Sequence, residues 1–167
     1  MSTERERASR LAAIEAAVGV ARTGLPEDVF QFVSRLTPLI NVDLLVQDDR
    51  GRTLLTWRDD EFFGAGWHVP GGIIRYKETA ADRIRACAHE ELGAEVSVDP
   101  IPLLVAETIR QQATRGHFIS LLFRCRLITA LDEAKRSGSR RRVGDWRWHE
   151  RCPDDLLDVQ RQYARFF

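Results

Sequence analysis

The chain has 167 residues, 44% of them hydrophobic and 30% charged, which suits one soluble domain with a packed core and excludes a disordered tail. Twenty-five basic residues balance twenty-five acidic ones, so no global field argues for nucleic acid or a membrane surface as partner. Three cysteines, Cys87, Cys125 and Cys152, form no CxxC pair and point to a reducing compartment, not a disulfide scaffold or a zinc site.

Residues 1–7 alternate in charge and lack the apolar core of a signal peptide, and no stretch approaches the roughly 20 apolar residues that cross a bilayer. A cytoplasmic protein is the expectation. Residues 3–22 are rich in Ala, Glu, Arg and Leu, with Leu11, Ile14, Val18 and Ala21 at helical spacing. Gly24 and Pro26 break this helix and start a second over 26–36, with Glu27 and Asp28 at its positive end and Val29, Phe32, Val33 and Leu36 on one face. These helices are expected to cap the domain, with a homodimer contact as the alternative.

From Pro38 the period changes to two. Residues 39–46 predict a strand, 48–51 a turn and 52–57 the return strand. A loop holding Gly64 and Gly66 follows, then Trp67-His-Val-Pro-Gly-Gly72, and residues 79–92 predict a helix closed by Gly93. Strands are expected near 95–98, 101–109 and 117–128, then a basic loop at 135–142, a short strand at 145–148 and a C-terminal helix. This order of elements indicates an α/β domain with a mixed sheet.

The chemistry is concentrated in residues 71–93. On a helical projection Cys87 falls between Glu90 and Glu91, while Ala81, Ile84, Ala88 and Leu92 form a second stripe toward the sheet. Asp82, Arg85 and His89 fall on the solvated side. Adjacent carboxylates repel unless a cation lies between them, and Mg²⁺ takes carboxylate and phosphate oxygens together. The paired glycines before the helix let backbone carbonyls approach those carboxylates.

The spacing Gly72, five residues, Glu78, eleven residues, Glu90-Glu91, one residue, Gly93 resembles the Nudix box, GX5EX7REUXEEXGU. It departs from the box at Ala86, where the family has Arg, and at Cys87, where it has Glu. Residues 37–46, 49–58, 66–72 and 145–148 further resemble the GDP-mannose mannosyl hydrolase branch, which tolerates loss of that Glu. The resemblance implies a Nudix α/β/α sandwich with its loop–helix–loop over residues 37–167, preceded by a helical extension at 1–36.

It also implies Mg²⁺, or Mn²⁺, held by Glu90, Glu91 and the carbonyl of Gly71 or Gly72, with Glu90 and Glu91 as catalytic carboxylates and Glu78 supporting the box. Arg58 falls where the branch binds substrate phosphate. Ile73 replaces the arginine after the double glycine, leaving Arg75 two residues on as a substrate contact, and His117 is a candidate for the cleft. The branch's Gln ligand and His base correspond to Arg142 and Val143, so no base is identified. Cys87, beside two carboxylates, is expected to have a raised pKa and to act as a small filler.

The implied function is hydrolysis of a nucleoside diphosphate derivative, first a nucleotide sugar such as GDP-mannose, at the glycosyl carbon. Cleavage between phosphates and a catalytically impaired nucleotide-binding module are the alternatives. The partner expected is a small nucleotide, with neither nucleic acid nor membrane.

Overall fold

Period-two apolar patterning draws residues 39–60 into two strands, β1 (Leu39–Val46) and β2 (Thr53–Asp60). The computed structural model describes residues 2–167. β1 pairs in parallel with the long strand β7 (His117–Leu127) and antiparallel with β4 (Gly71–Ile73). β5 (Val96–Val98) and β6 (Leu104–Ile109) both add antiparallel to β7, completing a mixed five-stranded sheet. The second sheet has three antiparallel strands in the order β3 (Gly64–His68), β2, β8 (Trp146–His149).

Strand β1 is buried on both faces, as expected for a strand with parallel pairing. Val42, Leu44 and Val46 pack with Ile84, Ala88 and Leu92 of the helical segment, whereas Leu45 joins Leu55, Trp67 and Tyr163 in a second cluster. The helix α3 (Ala80–Cys87) starts at an N-cap, Thr79, whose hydroxyl accepts the Asp82 amide. The helical winding continues from α3 through Ala88–Leu92 and ends at Gly93, whose φ of 62° supplies the left-handed cap.

Several expectations are corrected. The first helix, α1, spans Ser2–Val18, where Gly19 at φ 62° ends it, and Leu11 and Ile14 are 52% and 37% exposed. Its apolar residues are too diluted by charge to form a buried face. The second helix, α2, is shorter than expected, Glu27–Val33. Gly64 and Gly66 lie in strand β3, paired with Asp60 and Arg58 of β2, not in a loop; glycine at 66 leaves room for Leu157 and the Asp155 carbonyl behind it. The strand expected from 101 begins at Leu104.

Two helical segments also wind differently. After Cys87 the helix widens into a π turn, Ala88–Leu92. The C-terminal segment Asp158–Phe166 is a 3-10 helix. In that geometry residues three apart eclipse, and Gln160 and Tyr163 both reach Asp43 from it, at 3.4 and 2.5 Å.

Candidate active site

The box begins with a brace. Arg83 donates to both oxygens of Glu78, Nε at 2.9 Å and Nη2 at 2.8 Å, and Glu78 also accepts the Arg75 amide at 2.9 Å. The Arg83 hydrogen bonds dominate in holding the Glu78 carboxyl below its usual range. Arg83 thus supplies Glu78 with a guanidinium partner from one turn before Ala86. The signal was present in the sequence: positions 83 and 86 are one turn apart on the same helix face.

Cys87 is 2% exposed and fills the space under Gly72, where an added Cβ would stand 2.8 Å from Sγ. Burial, then the Glu91 charge, pushes the thiol up to about 12. Glu90 and Glu91 both lie close enough to Cys87 to act on its charge, but the π turn sends their side chains in different directions. Glu90 points outward, its side chain 58% exposed with Arg83 at 3.9 Å. Lys135 donates to the Glu90 carbonyl at 2.7 Å and so caps the negative end of the helix.

Glu91 turns inward and joins three elements. Its Oε1 accepts the Gly71 amide at 2.9 Å, and its Oε2 accepts the Thr56 hydroxyl at 2.9 Å and faces His68 Nε2 at 3.3 Å. Burial opposes ionisation, but His68, the Gly71 amide and Thr56 overcome it and hold the carboxyl below its ordinary value. His68 Nδ1 lies 2.9 Å from the Thr56 carbonyl, to which it donates, and this fixes the ring beside Glu91.

A cleft of about 170 Å³ opens beside this centre, lined by Asp43, Arg58, His68, Gly71, Gly72 and Arg115, among others. Gly71 allows its narrow floor: a Cβ there would lie 2.3 Å from the Val42 carbonyl and 2.7 Å from Asp43 Oδ1. Asp43 was not foreseen, since its role depends on cross-strand register with Gly71. It is 4% exposed and accepts from Tyr163 at 2.5 Å and Asn41 at 2.9 Å. Burial raises its carboxyl to about 6 against the lowering effect of Tyr163, His68 and Asn41.

Arg58 lies two residues beyond Thr56 on β2, hence on the same face and roughly 7 Å along the strand. Its Nε is ion-paired with Asp60, whose other oxygen accepts the amides of Phe62 and Phe63. The other two expected substrate contacts stand elsewhere. Arg75 lines a separate groove with Gly24 and Phe30. His117 bonds Glu107 at 3.0 Å across the β6–β7 pair and does not line the cleft.

No three His, Cys, Asp or Glu side chains among the described residues converge as a cage for a metal ion. The donors present fit a looser arrangement. Glu91 retains lone pairs beyond its three contacts, Glu90 is adjacent, and Mg²⁺ commonly takes one or two carboxylates and completes its shell with water and phosphate. The Leu44 amide bonds the Pro70 carbonyl and the Ile74 amide bonds Ile40, so alternation turns Gly72 toward Val42 and Gly71 away from β1.

No helix among the described residues is long and apolar enough to cross a membrane. The low-salt glycan biosynthesis protein Agl8 of Haloferax volcanii is 35% identical over 77 residues, covering 46% of this chain and about half, 49%, of that protein. The crystal structure of the MutT NUDIX hydrolase from Burkholderia pseudomallei superposes with a TM-score of 0.62 at 20% identity, over 77% of this chain and 97% of that one. The MutT protein from Methanosarcina mazei Go1 gives 0.59 at 17% identity, over 78% and 94%. At such identities the two structures speak to the fold. Residues 37–164 match the NUDIX domain model. With that match over a sandwich carrying the Gly72, Glu78, Glu91 and Gly93 framework, the chain belongs to the Nudix hydrolase family.

Proposed function

We propose that this chain hydrolyses a nucleoside diphosphate derivative, with a nucleotide sugar such as GDP-mannose as the leading substrate, at the glycosyl carbon. The observation that carries this is the reduced carboxylate set: Cys87 is sealed under Gly72, Glu90 points outward, and Glu91 is the box carboxylate that joins His68 and Gly71 at the cleft wall. Attack at phosphorus within the family draws on the fuller set, whereas departure of an intact diphosphate needs its charge held and a water aimed at carbon. The glycan-biosynthesis name of Agl8 agrees with a sugar-linked substrate.

The residues take the following parts. Arg58 holds a phosphate oxygen, roughly 7 Å along β2 from Thr56 and the Glu91 centre. Asp43, fixed by Tyr163 and Asn41 against Gly71, offers its carboxyl oxygen to orient the attacking water or a sugar hydroxyl. Water adds to the anomeric carbon, the carbon–oxygen bond to the diphosphate breaks, and GDP, free sugar and a proton result. Mg²⁺ or Mn²⁺, held by Glu91 and the Gly71 carbonyl and joined by Glu90 only on inward rotation of its side chain, would supply neutralisation of the diphosphate charge.

The test is incubation with GDP-mannose and Mg²⁺, with products resolved by anion exchange against a Glu91→Gln control. GDP plus mannose, lost in the control, supports cleavage at carbon. GMP plus mannose phosphate moves the reaction to phosphorus. No turnover across a nucleotide panel with either metal makes the chain a binding module.

A further inference from the structure

Three guanidinium groups gather around one phenyl ring at the end of the cleft beyond Arg58. Arg58, Arg110 and Arg115 lie 5.0, 5.8 and 5.5 Å from the Phe63 centroid. One carboxylate, Asp60, is ion-paired there, and it belongs to Arg58; among the described residues neither Arg110 nor Arg115 has a carboxylate within ion-pair distance. In a chain of zero net charge this is a local excess of positive charge. Of the two unpaired arginines, Arg115 also lines the cleft.

Arg115 is held there at a cost. Its φ of 53° lies in the left-handed region that non-glycine residues avoid, and such strain concentrates at ligand sites. Its guanidinium sits over Phe62 at 4.7 Å and Phe30 at 5.7 Å, and its Nε is buried without a hydrogen-bond partner. Burial, then repulsion from Arg58, lowers its pKa, while Asp60 and Glu27 oppose this from beyond contact. Both acids already have partners, Arg58 and Gln31. The backbone is fixed from outside the family domain: the Arg115 amide donates to Ser34 Oγ at 3.1 Å, and Phe30 belongs to α2.

We propose that Arg115 is a second anion-binding group of the cleft, taking a phosphate oxygen of the substrate beside Arg58, and that residues 30–34 hold it in place. One bound phosphate would give the two like charges that share this aromatic seat a common anionic partner, and the left-handed backbone is the cost of holding Arg115 there. The assignment of that phosphate to a nucleoside diphosphate rests on the function proposed above; the anion seat itself does not.

The experiment is calorimetric titration of the full chain in EDTA with inorganic pyrophosphate, GDP and guanosine, comparing the parent with Arg115→Gln and Arg115→Lys. The expected result is pyrophosphate and GDP binding weakened about tenfold or more in Arg115→Gln, less in Arg115→Lys, with guanosine affinity unchanged. Near-ultraviolet circular dichroism checks that each variant is folded, and Arg115→Lys keeps the charge should Arg115→Gln unfold. Pyrophosphate binding that depends on Arg115, without any preference for GDP, upholds the anion seat and removes the nucleotide reading. A parent that binds neither anion, or variants that bind pyrophosphate as the parent does, overturns the proposal and leaves Arg115 as packing between the loop and α2.

Discussion

Arg83 grips Glu78 through two parallel hydrogen bonds from one helical turn before Ala86, the position at which the family pattern has its arginine. Both side chains are nearly buried, 5% and 10% exposed. Removing one partner of such a pair strands a charge, which costs about 3–5 kcal/mol. Arg83→Ala should lose that much in urea unfolding, and Arg83→Ala with Ala86→Arg should regain a substantial part. A double variant no more stable than the single one would show that the two registers are not equivalent.

The Asp43 carboxyl is neutral in the fold up to a pH of about 6, whereas an unfolded chain ionises it near 3.8. Its contribution to stability is therefore fully present below pH 3.8 and is lost as the pH rises through about 6. Asp43→Asn stays neutral throughout. Relative to the parent in metal-free buffer, it should gain roughly 2–3 kcal/mol between pH 4 and pH 8. Chemical unfolding at the two pH values reads this directly, and a difference independent of pH would mean that Asp43 does not titrate in this range.

Burial pushes the Cys87 and Cys125 thiols up to about 12, and Cys152 alone of the three is part-exposed. Thiolate, not thiol, reacts with disulfide reagents. Ellman titration of the folded chain should give at most one fast thiol, rising to three in urea. Rapid labelling of Cys87 would show that the space beneath Gly72 opens in solution.

Almost every residue of α1 is exposed. Deleting residues 2–18 should shift Tm by no more than about 2 °C, since exposed residues away from buried contacts contribute within about 0.5 kcal/mol each way. A larger drop that grows on dilution would instead identify α1 as an assembly contact and support the dimer alternative.

The strands around 39–60 and the framework of glycines and carboxylates were legible because each rests on local period or spacing. What escaped was whatever depends on register between distant segments. Asp43 reads as an ordinary strand residue until β1 is laid against Gly71 and the C-terminal 3-10 helix brings Gln160 and Tyr163 to it. Thr56 and His68 meet Glu91 only through the β2–β3 pairing, in which they are direct partners. Arg115 draws its position from Ser34, 81 residues earlier. His117 shows the converse: placed in the cleft by the order of strands, it is claimed by Glu107 across the sheet.

The π turn at 88–92 is the footprint of one extra residue wound into a helix. It keeps Ala88 and Leu92 fully buried while Glu91, between them, reaches Gly71 and Thr56. Deleting one residue from this turn would close it into ordinary α-helix and take away the slack that lets Glu91 turn inward between two buried neighbours. The helix has two tasks, bracing the loop through Glu78 and presenting Glu91, and a single residue of slack keeps them in phase. Segment length is thus as much a component of the site as any side chain, and counting letters between carboxylates does not by itself say how they are wound.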